Sequence, residues 1–305
     1  MSKLSQNYVI TIVGPTAIGK TALSIKLAQH YSSEIVSADS RQFFKEMAIG
    51  TAVPSQEELS AAPHHFIQHK SVKESFNVGD FERDAISKIE ELHQKNPIVV
   101  VAGGSGLYVK AVTNGLDYFP EVDSNIRTTL NLQFETEGLI PLQEQLKNLD
   151  PISYNTIAID NPKRVIRALE ICIGTGLPYS SFLTNSEKNR AFKTIKIGLN
   201  AERAIIYDRI NQRVDLMIEN GLLEEAKAML PYKNLNALNT VGYKELFAYF
   251  EGESTLEFAI SEIKKNTRRF AKRQLTWFRK DNSITWFDYE TDVDAIINYV
   301  NLQID

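Results

Sequence analysis

A single cysteine, Cys172, stands in the 305-residue sequence. No internal disulfide can form, and no paired thiols offer a structural zinc site. Such scarcity fits a reducing, cytoplasmic setting. No run of roughly 20 apolar residues is available to cross a bilayer. Residues 1–8 lack the apolar stretch of a secretory signal. A strongly basic balance is missing too. Net charge is −4, which gives no global support for nucleic-acid binding. Neither internal repeats nor low-complexity tracts occur. What is present is 43% apolar residues, enough for a substantial core without covalent staples. The expectation is a soluble cytoplasmic protein, monomeric and without membrane association.

Charge is unevenly spread. Between residues 261 and 280 lie Lys264, Lys265, Arg268, Arg269, Lys272, Arg273, Arg279 and Lys280, against Glu262 alone. That segment carries +7, leaving −11 on the remainder. A local cationic surface on an acidic body can grip a phosphate backbone. A solvated helix with scattered basic residues accounts for the same pattern.

Apolar patterning predicts strands over residues 8–13, 34–38, 97–102 and 193–199, and a further strand near Trp286 and Phe287. Helical spacing covers residues 21–30, 81–95, 201–219 and 255–280, with another helix starting at Leu222 after Gly221. Strand–loop–helix alternation argues for a parallel sheet covered by helices. From about 120 to 190 the pattern changes to helices broken at Gly138, Pro141, Pro151 and Pro162. Asn161 and Pro162 start the helix that carries Arg164, Arg167 and Glu170. The expected organisation is an α/β core over residues 1–118 and 192–305, with a helical insertion over 119–191.

Gly14 to Thr21 reads GPTAIGKT, which matches GxxxxGK[ST] between an apolar strand and a helix. Backbone amides and the helix N-terminus attract phosphate oxygens, Lys20 adds a positive charge, and the Thr21 hydroxyl can face Mg²⁺. The motif leaves open whether the phosphate belongs to a nucleotide such as ATP. A nucleoside triphosphatase also needs a metal-binding acid after a later strand. Here that strand runs into Val101, Ala102, Gly103, Gly104 and Ser105, with no acid.

Asp39 follows a strand and is the main candidate base. An N-cap, a Mg²⁺ partner or a turn former are its alternatives. Ser40, Arg41 and Gln42 come next, and Gln42 offers the donor and acceptor pair that reads a base edge. His64 and His65 lack companion ligands and read as a turn with a buried histidine rather than zinc ligands. Gly103, Gly104 and Gly106 permit close backbone approach, beside Ser105 and Tyr108. Trp277 and Phe278 read as core packing ahead of RNA stacking.

Taken in order, these segments resemble the tRNA dimethylallyltransferases over about residues 9–279. The phosphate loop is similar to that family's GPTASGKT. Asp39 to Gln42, with Ile49 to Ala52, resembles DSxQ followed by IGTA. Pro63-His64-His65, the Gly103 to Tyr108 turn, Arg167 to Glu170 and Val241 to Glu245 follow in the family's order. The segment from Lys272 to Arg279 resembles its KRQxTWxR. Ile18, Phe44, Val53, the segment Phe66 to Gln68 and the segment Ile159 to Pro162 depart from the family pattern, and Ser105 stands where threonine is usual.

The resemblance implies a P-loop-containing parallel sheet with flanking helices and an inserted helical domain. It implies transfer of a dimethylallyl group from dimethylallyl diphosphate to N6 of adenosine 37 in tRNA, with Mg²⁺. It implies Asp39 as general base, with Thr16 at the junction of base and diphosphate. Diphosphate contacts would come from Gly14, Pro15, Thr16, Ala17, Ile18, Gly19, Lys20, Thr21 and Arg213. Contacts to tRNA would come from Asp39, Ser40, Arg41, Gln42, Ser105 and Arg127, and from Lys163, Arg164, Val165, Ile166 and Arg167. The insertion would grip the anticodon stem–loop. A small-molecule kinase and a non-catalytic RNA-binding protein are the other readings of the same residues.

Overall fold

The computed structural model describes residues 6–184 and 188–304. Residues 1–5, 185–187 and 305, which fall inside the two expected domains, lie outside the described residues. The chain divides into two compact units, Met1–Asn114 with Asn189–Asp305, and Gly115–Lys188. The sequence reading set these boundaries a few residues further on.

The first unit begins β1 (Tyr8–Val13), α1 (Lys20–His30), β2 (Ile35–Ser37), α2 (Gln56–Ala61) and β3 (His64–His65). It continues with α3 (Val78–His93), β4 (Ile98–Ala102) and α4 (Gly106–Thr113). The second unit holds α5 (Ser124–Glu137), α6 (Ile140–Leu149), α7 (Pro151–Thr156) and α8 (Pro162–Thr175). The first then resumes with β5 (Lys193–Asn200), α9 (Arg203–Glu219), α10 (Leu222–Met229), α11 (Tyr243–Phe250), α12 (Leu256–Phe278), β6 (Ile284–Asp288) and α13 (Val293–Asn301).

The six strands form one sheet in the order β3-β2-β4-β1-β5-β6, and every pairing is parallel. β1 is central and buried along its whole length. Its alternate residues serve opposite faces, because side chains of a strand have a period of two. Tyr8, Ile10 and Ile12 join one apolar cluster with Leu23 and Leu27 of α1. Val9 and Val13 join the other, with Phe81, Ala85 and Ile89 of α3. A sheet covered on both faces reads as a continuous apolar run, which is how β1 looks in sequence.

The expected strands and helices are present, and two differences have local causes. α3 starts at Val78 because Asn77 and Asp80 close a capping box over its first turn. His64 and His65 form a short edge strand beside β2, not a turn. The His64 ring is bonded to the Ala62 carbonyl at 2.8 Å, and His65 to Glu34 at 2.6 Å. Among the described residues no group of three or more metal-ligating side chains forms. No helix among them is long and apolar enough to cross a membrane.

Leu130, Leu142, Leu146, Val165, Ile166 and Leu169 build a separate core for the second unit. Its helices start and stop where the sequence says. Asn161 caps α8 through the Arg164 amide, Pro162 opens it, and Gly176 ends it in the left-handed region. Buried Asp150 accepts from the amide and hydroxyl of both Ser153 and Ser180, at 2.5–3.0 Å.

Candidate active site

The ends of β1, β2 and β4 lie side by side and present three loops. In a parallel sheet this carboxyl edge is where ligands bind. After β1, the loop bends through positive φ at Gly14, Ala17 and Gly19. Gly14 has no room for a side chain, since a Cβ there would sit 2.5 Å from the Leu199 carbonyl oxygen. Gly14→Ala is therefore expected to cost about 2 kcal/mol, from strain at its φ and that backbone clash. A urea midpoint unchanged from wild type would refute this.

Lys20 folds onto the loop it follows. Its Nζ donates to the carbonyls of Gly14 at 3.0 Å and Pro15 at 2.7 Å. The residue keeps some surface, yet its ammonium sits against these carbonyls. Loss of hydration pushes its pKa down to about 8, with Asp39 resisting and Arg213 assisting. Arg213 and Arg209, on α9, approach from the other side. Arg213 donates to the Thr16 hydroxyl at 3.4 Å, and Arg209 to the Ala17 carbonyl at 2.7 Å. Burial and the neighbouring Arg209 lower the pKa of Arg213, and Asp39 again opposes the shift. Three cations thus converge on residues 14–17.

After β2 comes Asp39, half-buried, with its carboxylate accepting the Arg41 amide at 3.1 Å. Asp39, Thr16, Arg213, Ser105 and Trp277 line one cavity of about 660 Å³. Val214, Met217, Leu222 and Ile263 give the same cavity an apolar wall. Ser105 bonds both the amide and the hydroxyl of Ser40, at 3.1 Å each.

Two neighbours of Asp39 are committed elsewhere. The Gln42 side chain donates to the carbonyls of Ala52 at 2.8 Å and Thr51 at 3.3 Å. Its amide therefore fixes the 48–52 turn and does not face a base edge. Arg41 donates to the carbonyls of Asn236, Ala237 and Asn239, clamping that segment.

Sequence reasoning passed over several residues here. Glu225 of α10 accepts the amides of Ala48, Ile49 and Gly50 at 2.8–2.9 Å, and the Tyr243 hydroxyl at 2.6 Å. Nothing in its amphipathic helix signals this. Gln274 lies inside the KRQxTWxR segment, yet that reading gave it no role. Trp277 corrects the packing expectation: it is 42% exposed and lines the cavity, while Phe278 is buried as expected. Trp277 is i+3 from Gln274, so both leave α12 on one face.

In the insertion, Glu170 receives Arg127 through two bonds at 2.9 and 2.6 Å, and Arg167 at 2.7 Å. Lys163 and Arg164 are exposed. Val165 and Ile166 are buried in the insertion's core, so their side chains cannot serve as tRNA contacts. On α12, Lys264 pairs with Asp215 at 2.6 Å and Arg268 with Asn211 at 2.7 Å. Arg269, Lys272, Arg273, Arg279 and Lys280 are exposed.

A GxxxxGKT loop and a carboxylate beside one part-apolar cavity define a phosphate-loop protein of the α/β class. Residues 42–281 match the IPP transferase family. Over 98% of this chain and 99% of the relative, the sequence is 62% identical to the tRNA dimethylallyltransferase of Christiangramia forsetii. It is 61% identical to that of Flavobacterium johnsoniae, over 96% of this chain and 97% of the relative. The full-length tRNA isopentenylpyrophosphate transferase of Bacillus halodurans superposes with a TM-score of 0.74 at 38% identity, covering 98% of this chain and 97% of that one. A eukaryotic dimethylallyltransferase acting on tRNA gives 0.81 at 26% identity, over 97% of this chain and 77% of that one. The chain belongs to the tRNA dimethylallyltransferase family.

Proposed function

We propose that this enzyme transfers the dimethylallyl group of dimethylallyl diphosphate to N6 of adenosine 37 in tRNA, yielding N6-isopentenyladenosine and diphosphate. The observation that carries this reading is the shared cavity: Asp39 lines it together with Thr16 and Arg213, which belong to the cationic phosphate end. The diphosphate lies in the loop amides of residues 14–21, with Lys20 and Arg213 as counter-charges. This loop takes the leaving group of the donor in place of a nucleotide phosphate. As the C1–oxygen bond weakens, negative charge grows on the leaving group, and fixed cations stabilise it where it grows. The allyl fragment spreads its positive charge over the double bond, against the apolar wall.

The adenine amine is a weak nucleophile because its lone pair is delocalised into the ring. Its proton becomes acidic only as the carbon–nitrogen bond forms. The Asp39 carboxylate then takes it. An anticodon loop is single-stranded, so a base leaves its stack at lower cost than from a duplex. Exposed Trp277 offers that base a face, and Arg273, Lys272 and Arg269 offer phosphate contacts. Ser40, Ser105, Lys163, Arg164, Arg127 and Arg167 extend the tRNA contacts of this reading.

Mg²⁺ suits this donor set. The ion keeps several waters and takes one or two protein oxygens together with substrate phosphates. Thr21, in the first turn of α1, is the protein oxygen that would hold it. When bound, the ion neutralises charge on the leaving diphosphate. On this reading the enzyme acts as a monomer in the cytoplasm.

Mass spectrometry of tRNA nucleosides after incubation with donor and Mg²⁺ tests the assignment. An adenosine carrying one five-carbon prenyl unit is the expected product. ATP-dependent phosphorylation of a small metabolite with no prenylated tRNA would replace this reading by the kinase.

A further inference from the structure

The P-loop and the β4–α4 loop come from separate strands, and a single side chain joins them. Gln274, only 6% exposed, accepts the Thr16 amide on its Oε1 at 2.9 Å. Its Nε2 donates to the Gly104 carbonyl at 2.9 Å. Both ends of one planar amide are engaged, so Gln274 ties the loops together beyond the point where the backbone bond from the Gly103 amide to the Ile12 carbonyl, at 3.1 Å, joins their strands. The fit leaves no slack: a Cβ on Gly104 would meet Nε2 at 2.3 Å, and one on Gly106 would meet the Trp277 ring at 2.2 Å.

The two anchor points continue to the two halves of the site. Thr16 receives Arg213 on its hydroxyl, which is the phosphate end. Ser105, next to Gly104, holds Ser40, next to Asp39, which is the base end. A continuous path therefore runs from Arg213 through Thr16, Gln274, Gly104, Ser105 and Ser40 to Asp39. Gln274 is its midpoint and the side chain that carries it from one loop to the other.

We infer that Gln274 is a positioning residue that sets the register between the donor carbon and the acceptor amine. This inference rests on the prenyl-transfer reading above. It also fixes what a failure of register looks like. Once the C1–oxygen bond of the donor weakens, C1 is captured by whichever nucleophile lies in line. With the amine aligned, a carbon–nitrogen bond forms and the amine proton leaves. With the amine displaced, water oxygen bonds to C1 and loses a proton, giving dimethylallyl alcohol, diphosphate and a proton. Loss of the Gln274 amide thus shifts the partition from tRNA transfer to donor hydrolysis.

The test uses the full-length enzyme with radiolabelled dimethylallyl diphosphate, Mg²⁺ and tRNA. Prenylated tRNA and dimethylallyl alcohol are counted in the same reaction. Gln274→Met keeps side-chain length and removes both hydrogen bonds. Its transfer kcat is expected to fall on the order of 10- to 100-fold, the scale of an ångström-level misplacement. The donor KM moves far less, and the ratio of alcohol to prenylated tRNA rises at least about tenfold by the same argument. Gln274→Glu keeps the acceptor for the Thr16 amide and sets a carboxylate against the Gly104 carbonyl. It should show the same rise in ratio, and it decides the matter if the methionine variant does not fold. A ratio equal to wild type in a folded variant, whatever its rate or stability, overturns the inference. If wild-type enzyme prenylates no tRNA, the functional reading fails instead.

Discussion

Asp39→Ala is expected to slow single-turnover dimethylallyl transfer by about 10³-fold, within the usual range for loss of a general base. Binding of tRNA should stay within about threefold, since backbone phosphates, not this carboxylate, supply most affinity. The physical basis is the timing of the proton. An exocyclic adenine amine cannot be deprotonated before attack at neutral pH, and it cannot hold the proton after attack. A half-buried carboxylate bordering the same cavity as Thr16 and Arg213 is placed to take it during bond formation. Asp39→Asn sharpens the test, because its side-chain oxygen can still accept the Arg41 amide as the carboxylate does. It should lose as much rate as the alanine variant while keeping the turn. Rapid-quench transfer by Asp39→Asn within tenfold of wild type would remove the base assignment.

Lys20→Met carries the second large effect, expected as a 10²- to 10³-fold loss in kcat/KM for the donor, on the order seen when one preorganised charge-stabilising group is removed. The pH profile gives this prediction its sign. Lys20 has its pKa pushed down to about 8 by burial. Below that pH the ammonium is charged and attracts diphosphate. Above it the amine is neutral and the attraction is lost. Donor kcat/KM should therefore fall as pH rises through about 8. In Lys20→Met that limb should vanish, leaving a lower, flatter profile. Asp39 raises the Lys20 pKa, so Asp39→Asn should move the limb to lower pH. An unchanged limb in Lys20→Met would assign the titration to another group.

The phosphate loop and the position of Asp39 are legible in the sequence. The phosphate loop announces itself because its chemistry is local: glycines for the bends, a lysine and a hydroxyl at the helix start. Asp39 was legible because the end of a parallel strand is a privileged position. Glu225, by contrast, lies in a helix whose pattern reports only one apolar face. Its bonds to the amides of residues 48–50 link positions more than 170 apart. No local spacing encodes such a partnership. The place of Gln42 escapes local reading for a related reason. Its amide chemistry suits a base edge, but the 48–52 turn claims it through tertiary geometry. Trp277 reads as core in the sequence because buried aromatics are common on long helices. The glycine at position 106 lets its ring lie over a backbone that has no side chain to cover it. Val165 and Ile166 show the converse, since a stretch named by its charged members also contains the residues that hold the helix down.

The bond between Thr16 and Gln274 spans 258 positions. A ribosome translating this message finishes the phosphate loop long before the brace. Until α12 has left the exit tunnel, a nascent chain carries the lysine and the glycines without the crosspiece that aligns them. Full competence thus waits on α12. A premature stop anywhere upstream of that helix yields a fragment that lacks the clamp linking its two reactive loops.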